Sequence, residues 1–181
     1  MYYMFIAEGF EETEALATLD MLRRAEIDIK TVGVGNSEIT GTHGITVKTD
    51  TEDKMIDFTE CDGIILPGGM PGTENLYASE TVIAFVKFCF ENRKLIASIC
   101  AAPIIPGRLG LLNGKRAVCY PGFENCLIGA DIVNAKSVTD DIFITAKGAG
   151  CVFEFSHNLI EYICNKNTAD RIISEIQHNS L

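Results

Sequence analysis

Short apolar runs of strand length recur along the chain, and stretches with helical spacing lie between them. Tyr2 to Ala7, Asp28 to Val34, Ile64 to Leu66 and Lys94 to Ile99 are such runs. Glu11 to Ala25 places Ala15, Leu19 and Leu22 on one helical face, and Ser79 to Glu91 does the same with Val82, Phe85, Val86 and Cys89. Further on, Ala117 to Tyr120, Ile132 to Ala135 and Ile142 to Ala146 read as strands, followed by helices from Cys151 to Cys164 and from Thr168 to Gln177. This order implies an α/β fold, a doubly wound and largely parallel sheet with helices on both faces.

In such folds, sites form outside the carboxyl ends of the strands. Three segments are expected to meet there: Ala7 to Glu14, the turn Pro67-Gly68-Gly69, and Cys100. Cys100 ends the run Lys94-Leu95-Ile96-Ala97-Ser98-Ile99 and is followed by Ala101-Ala102-Pro103, the strand-to-turn setting in which α/β enzymes hold a nucleophile. A helix beginning at Ala101 would put its N-terminal NH groups beside the sulfur, and such placement lowers a thiol pKa from about 8.5 to roughly 3.5–7.5. A free cysteine is more often a small apolar filler, but the elbow favours the nucleophile. Gly68 and Gly69 serve either as a tight turn or, with the NH of Ala101, as an oxyanion hole. They do not form a phosphate loop, because GxGxxG and the Walker lysine are both missing. Glu11, Glu12 and Glu14 match the dipole of a first helical turn, and sequence alone does not say which of them faces inward.

With 181 residues, 47% hydrophobic and 22% charged, the chain suits a single domain spanning residues 1–181, with no linker or repeat. Its start lacks a basic segment and meets Glu8 and Glu11, so it is not read as a signal peptide. No apolar run is long enough to span a membrane. A net charge of −10 opposes nucleic acid as a partner. Seven cysteines without CxxC or Cys/His spacing argue against a metal site, and an odd count points to reduced thiols and a cytoplasmic location. Cys61, Cys89, Cys151 and Cys164 read as packing residues.

Gly9-Phe10-Glu11-Glu12-Thr13-Glu14, Leu66-Pro67-Gly68-Gly69, Ala97 to Pro103 and Cys119-Tyr120-Pro121-Gly122-Phe123-Glu124 together resemble the ThiJ/PfpI superfamily, in the branch of the Parkinsonism-associated protein DJ-one. The resemblance covers nearly the whole chain and implies a flavodoxin-like fold and a homodimer. It implies Cys100 as nucleophile, Glu14 as a protonated glutamate bonded to the sulfur, and Gly69 and Ala101 as oxyanion donors beside Gly68. Members that cleave peptides carry histidine where this chain has Ala101, and others carry one where it has Tyr120. A protease is therefore not expected, and Tyr120 is left to contribute a hydrogen bond. Ala149 stands where proline is common. His43 matches a position near the site or dimer contact, whereas His157 and His178 are expected to be solvated. The resemblance thus implies a cofactor-independent glyoxalase or deglycase acting on small reactive carbonyls such as methylglyoxal. The alternative is a redox-sensing protective or chaperone-like protein whose Cys100 is oxidised to sulfinate.

Overall fold

The computed structural model of the chain describes residues 1–178. The strands are β1 (Tyr2–Ile6), β2 (Ile29–Gly33), β3 (Glu38–Thr40), β4 (Thr46–Lys48), β5 (Thr51–Glu52), β6 (Gly63–Leu66), β7 (Leu95–Ile99), β8 (Arg116–Ala117), β9 (Asp131–Ile132), β10 (Ser137–Asp140) and β11 (Phe143–Ala146). The helices are α1 (Glu12–Arg24), α2 (Gly72–Ala78), α3 (Glu80–Glu91), α4 (Ile104–Arg108), α5 (Val152–Ile163) and α6 (Lys166–Glu175). Seven strands form one sheet in the order β10-β11-β7-β6-β1-β2-β5. All its neighbours pair in parallel except β10 with β11.

Alternation along β1 supplies two cores. Met4 and Ile6 pack with Leu22 of α1, Phe155 and Leu159 of α5 and Ile172 of α6. Tyr3 and Phe5 face the other way, against Leu76 of α2, Phe85 of α3 and Ile104 of α4. Phe85 lies 5.8 Å from the Tyr3 ring and 5.3 Å from that of Phe5, within the range of favourable aromatic pairing. Helices thus cover both faces of a flavodoxin-like sheet. From β1 the chain winds outward through β2, then returns to the opposite side through β6. The carboxyl ends of β1 and β6 flank that switch point, where open α/β sheets leave a crevice.

Several local expectations change. Ala117 to Tyr120 and Ile132 to Ala135 contribute only β8 and β9, which pair with each other outside the main sheet. The Val118 NH turns to Thr145 Oγ1 at 3.0 Å and the Tyr120 NH to the Cys100 carbonyl at 2.7 Å, so this segment braces the site instead of extending a ladder. No helix starts at Ala101: residues 100–103 are a turn, and α4 begins at Ile104 and spans five residues. Cys61 and Cys89 are buried as expected, but Cys151 is only partly buried and Cys164 is exposed.

Candidate active site

Cys100 adopts φ +64, a left-handed conformation uncommon for a side chain other than glycine. The strand ends force it. Its NH donates to the Ala146 carbonyl at 2.9 Å as β7 leaves the sheet, and its carbonyl accepts from Tyr120. The backbone of Ala101 and Gly69 acts on the thiol and pulls its pKa down. Gly69 itself sits at φ +92.

Glu14 reaches the same point from the first turn of α1. Glu11 caps that helix by accepting the Glu14 NH at 2.6 Å, and the Glu11 NH donates to the Gly68 carbonyl at 2.9 Å. The Gly68 NH then holds Glu14 Oε2 at 2.8 Å. A Cβ on Gly68 would come within 2.6 Å of that oxygen and 2.7 Å of the Cys100 Cβ, so only glycine lets acid and thiol meet. Glu14 is 1% exposed. Its Oε1 is buried without a hydrogen-bond partner, and the nearby Cys100 thiol and Ala149 backbone pull the carboxyl down.

Burial pushes Glu14 up to about 7, against the pull of its bonds to Cys100 and Gly68. Burial also pushes the Cys100 thiol up to about 12, and the charge of an ionised Glu14 adds to that rise, while the NH groups of Ala101 and Gly69 oppose it. The expected depression of the thiol is not found: burial and Glu14 raise it, and no helix begins at Ala101 to oppose them. Glu14 and Cys100 each shift the other's ionisation, so they titrate as a coupled pair. In the protonation state with the proton on Glu14, the acid is the donor and the charge lies on sulfur, near the backbone of Ala101 and Gly69 that favours it.

The remaining predicted residues take varied places. The Tyr120 ring, half exposed, lies 3.4 Å from where a Cβ on Gly148 would stand, so it joins the site by its backbone and ring face. His43 turns away from the sulfur. Its Nδ1 pairs with Glu12 Oε2 at 2.8 Å and its NH donates to Glu12 Oε1 at 2.7 Å, which ties the β3–β4 turn to α1. Glu11, Glu12 and His43 are the one group of three possible metal ligands among the described residues, and these same bonds and the helix cap already engage their carboxylates. His157 is paired with Asp170 at 2.8 Å instead of being freely solvated, and the His178 ring lies tilted against Phe153 at 4.8 Å. Sequence reasoning missed Gly148, whose Cβ would stand 4.0 Å from the Cys100 sulfur; only its place between Lys147 and Gly150 hinted at a close approach. Beside it opens a cavity of about 410 Å³ lined by Tyr120, Lys147, Gly148, Ala149 and Cys151, among others.

Fold and site together define an α/β protein with a strained cysteine at the sheet's switch point and a buried glutamate against it. The chain belongs to the DJ-1/PfpI family, whose model matches residues 2–162. It is 36% identical to protein DJ-1 homolog B of Arabidopsis thaliana over 91% of this chain and 38% of that one. Homolog A from the same plant is also 36% identical, over 93% and 44%. The chain thus spans under half the length of these two relatives. A deglycase of Pyrococcus abyssi is 28% identical over 87% of this chain and 95% of its own. Among solved structures, a cysteine-to-alanine mutant of a DJ-1 superfamily protein from Salmonella typhimurium superposes with a TM-score of 0.94 at 32% identity, covering 99% and 98% of the two chains. Oxidized DJ-1 of Toxoplasma gondii gives 0.94 at 30%, with the same coverage. No helix among the described residues is long and apolar enough to cross a membrane.

Proposed function

We propose that the chain is a cofactor-independent deglycase or glyoxalase that acts on small reactive carbonyls through Cys100 and Glu14. The observation that carries this is the buried carboxyl of Glu14, oriented by the Gly68 NH and brought up to Cys100 across Gly68 at the end of the sheet. Relatives named as deglycases in three archaea support the substrate class.

With methylglyoxal, the Cys100 thiolate adds to the aldehyde carbon, and the Glu14 proton passes to the carbonyl oxygen, giving a hemithioacetal. The Glu14 carboxylate then removes the proton from that carbon and returns it to the neighbouring one, while the hydroxyl proton passes to the former ketone oxygen, which leaves a lactyl thioester. Water hydrolyses the thioester, and the net change is methylglyoxal plus water to lactate plus a proton. Both electrons stay within the substrate, so the sequence requires neither nicotinamide nor glutathione.

The test follows lactate formed from methylglyoxal by fully reduced protein in EDTA. Many lactates per chain are expected, none with Cys100→Ser, and a fall of about 100-fold or more with Glu14→Ala. Depletion that stops at one adduct per thiol, without lactate, would sink the enzyme assignment and support a redox-protective role.

A further inference from the structure

At the opposite end of the sheet, two more thiols meet. Cys61 immediately precedes Asp62 and β6, and Cys89 lies on the buried face of α3. Both are 0% exposed, and their sulfurs are 3.7 Å apart. Cys100 follows the carboxyl end of β7, so at about 3.3 Å per residue the five residues of that strand put roughly 16 Å between the two thiol sites. We propose that Cys61 and Cys89 form a second oxidation site, independent of Cys100, which a peroxide closes to an intramolecular disulfide.

Three features make this pair more than packing. The first is chemical polarisation. Lys94 Nζ donates to the Cys61 carbonyl, lies 5.5 Å from the Phe88 ring centre and 3.6 Å from Asp62. The bond from Cys89 first, and the Lys94 charge beside it, hold the Cys61 thiol below its usual range, while the same bond and burial push Cys89 up. The Lys94 ammonium, held at the Cys61 carbonyl, favours a thiolate on Cys61, which takes the part of nucleophile with Cys89 resolving. The second feature is contact: the sulfurs already touch, so closure needs only a small approach.

The third feature is the cover. Between β5 and β6 the chain makes two single turns, Asp53–Met55 and Phe58–Glu60, and neither contributes a buried residue. Cys61 caps the second turn. Phe58, 36% exposed, stacks on Phe85 at 4.1 Å and against Phe88 at 5.3 Å, and Met55 is 78% exposed. Segments with so few buried contacts open locally at low free energy, which admits a small oxidant without unfolding the sheet.

The chemistry balances. The Cys61 thiolate attacks one peroxide oxygen; the O–O bond breaks, an S–O bond forms, and the departing oxygen takes a proton to become water. Cys89 then attacks the Cys61 sulfenic acid; the S–S bond forms, the S–O bond breaks, and a second water leaves. Two thiols are oxidised by two electrons, and one peroxide is reduced to two waters.

Wild-type and Cys100→Ser proteins treated with hydrogen peroxide, denatured, alkylated and digested without reductant should both yield a Cys61–Cys89 linked peptide in most chains. Dithiothreitol should release it, its yield should not vary with protein concentration, and it should vanish in Cys61→Ala and in Cys89→Ala. Complete alkylation of both cysteines at a dose that oxidises the exposed Cys164, or linkage of Cys61 to any other cysteine, would overturn the proposal. Because the wild-type map decides by itself, poor folding of either alanine variant leaves the test intact.

Discussion

A hydrogen atom makes the difference at Gly68. Its NH orients Glu14, and its missing side chain is what lets Glu14 and Cys100 approach each other. Gly68→Ala should lower lactate formation by at least 100-fold and cost about 1–3 kcal/mol of stability, because the added carbon overpacks between two fixed groups. Gly150→Ala, which meets no atom within 4 Å, is the comparison and should change stability by less than about 0.5 kcal/mol. Steady-state kinetics beside thermal unfolding checks both, and an active Gly68→Ala protein would contradict the close approach. Residue by residue, the sequence exposed the thiol, the glycine pair and the acids, since each sits at a strand end. It left Glu11, Glu12 and Glu14 unresolved because all three suit a helix N-terminus. Only the fold assigns them: Glu11 to the cap, Glu12 to the His43 turn and Glu14 to the sulfur.

Among the elements, legibility followed burial. The strands β1, β6 and β7 are nearly all apolar because helices cover both their faces, and their runs stand out. Ser137–Asp140 is an edge strand with one buried residue, and Glu38–Thr40 pairs with Thr46–Lys48 away from the main sheet, so neither carries an apolar run. The turn after Cys100 misled for a different reason. Ala101 and Ala102 suit a helix by propensity, yet clamping of Cys100 to Ala146 and Tyr120 holds it at φ +64 and delays α4 to Ile104. A five-residue helix cannot carry the electrostatics that a longer one beginning at Ala101 would have supplied. In the proposed mechanism that part falls instead to the backbone of Ala101 and Gly69 and to a protonated Glu14. Cys151 and Cys164 were misplaced because apolar neighbours in sequence are not neighbours in space.

Across the whole molecule, three parallel strands bring the β1–α1 turn, the β6 turn and the β7 elbow to one edge, and stability pays at neutral pH for the buried acid placed there. Glu14 is raised from 4.5 to about 7, so its contribution is fully present below 4.5 and drains away as pH rises through 7. The unfolded carboxyl ionises first over that window, whereas the folded one keeps its proton. In a Cys100→Ser background, which removes the coupled thiol, unfolding free energies of Glu14 and Glu14→Gln proteins should diverge between pH 4.5 and 8 by roughly 3 kcal/mol, with the glutamate losing. A difference that stays constant with pH would refute the raised carboxyl. The central claim is that Cys100 and Glu14 titrate as one unit, and the rate of Cys100 alkylation by iodoacetamide from pH 5 to 10, read by peptide mass, tests it most directly. The wild-type profile should be displaced by Glu14→Leu and less by Glu14→Gln, upward where Glu14 holds the pair's shared proton and so favours the thiolate. Three superimposable curves would contradict it.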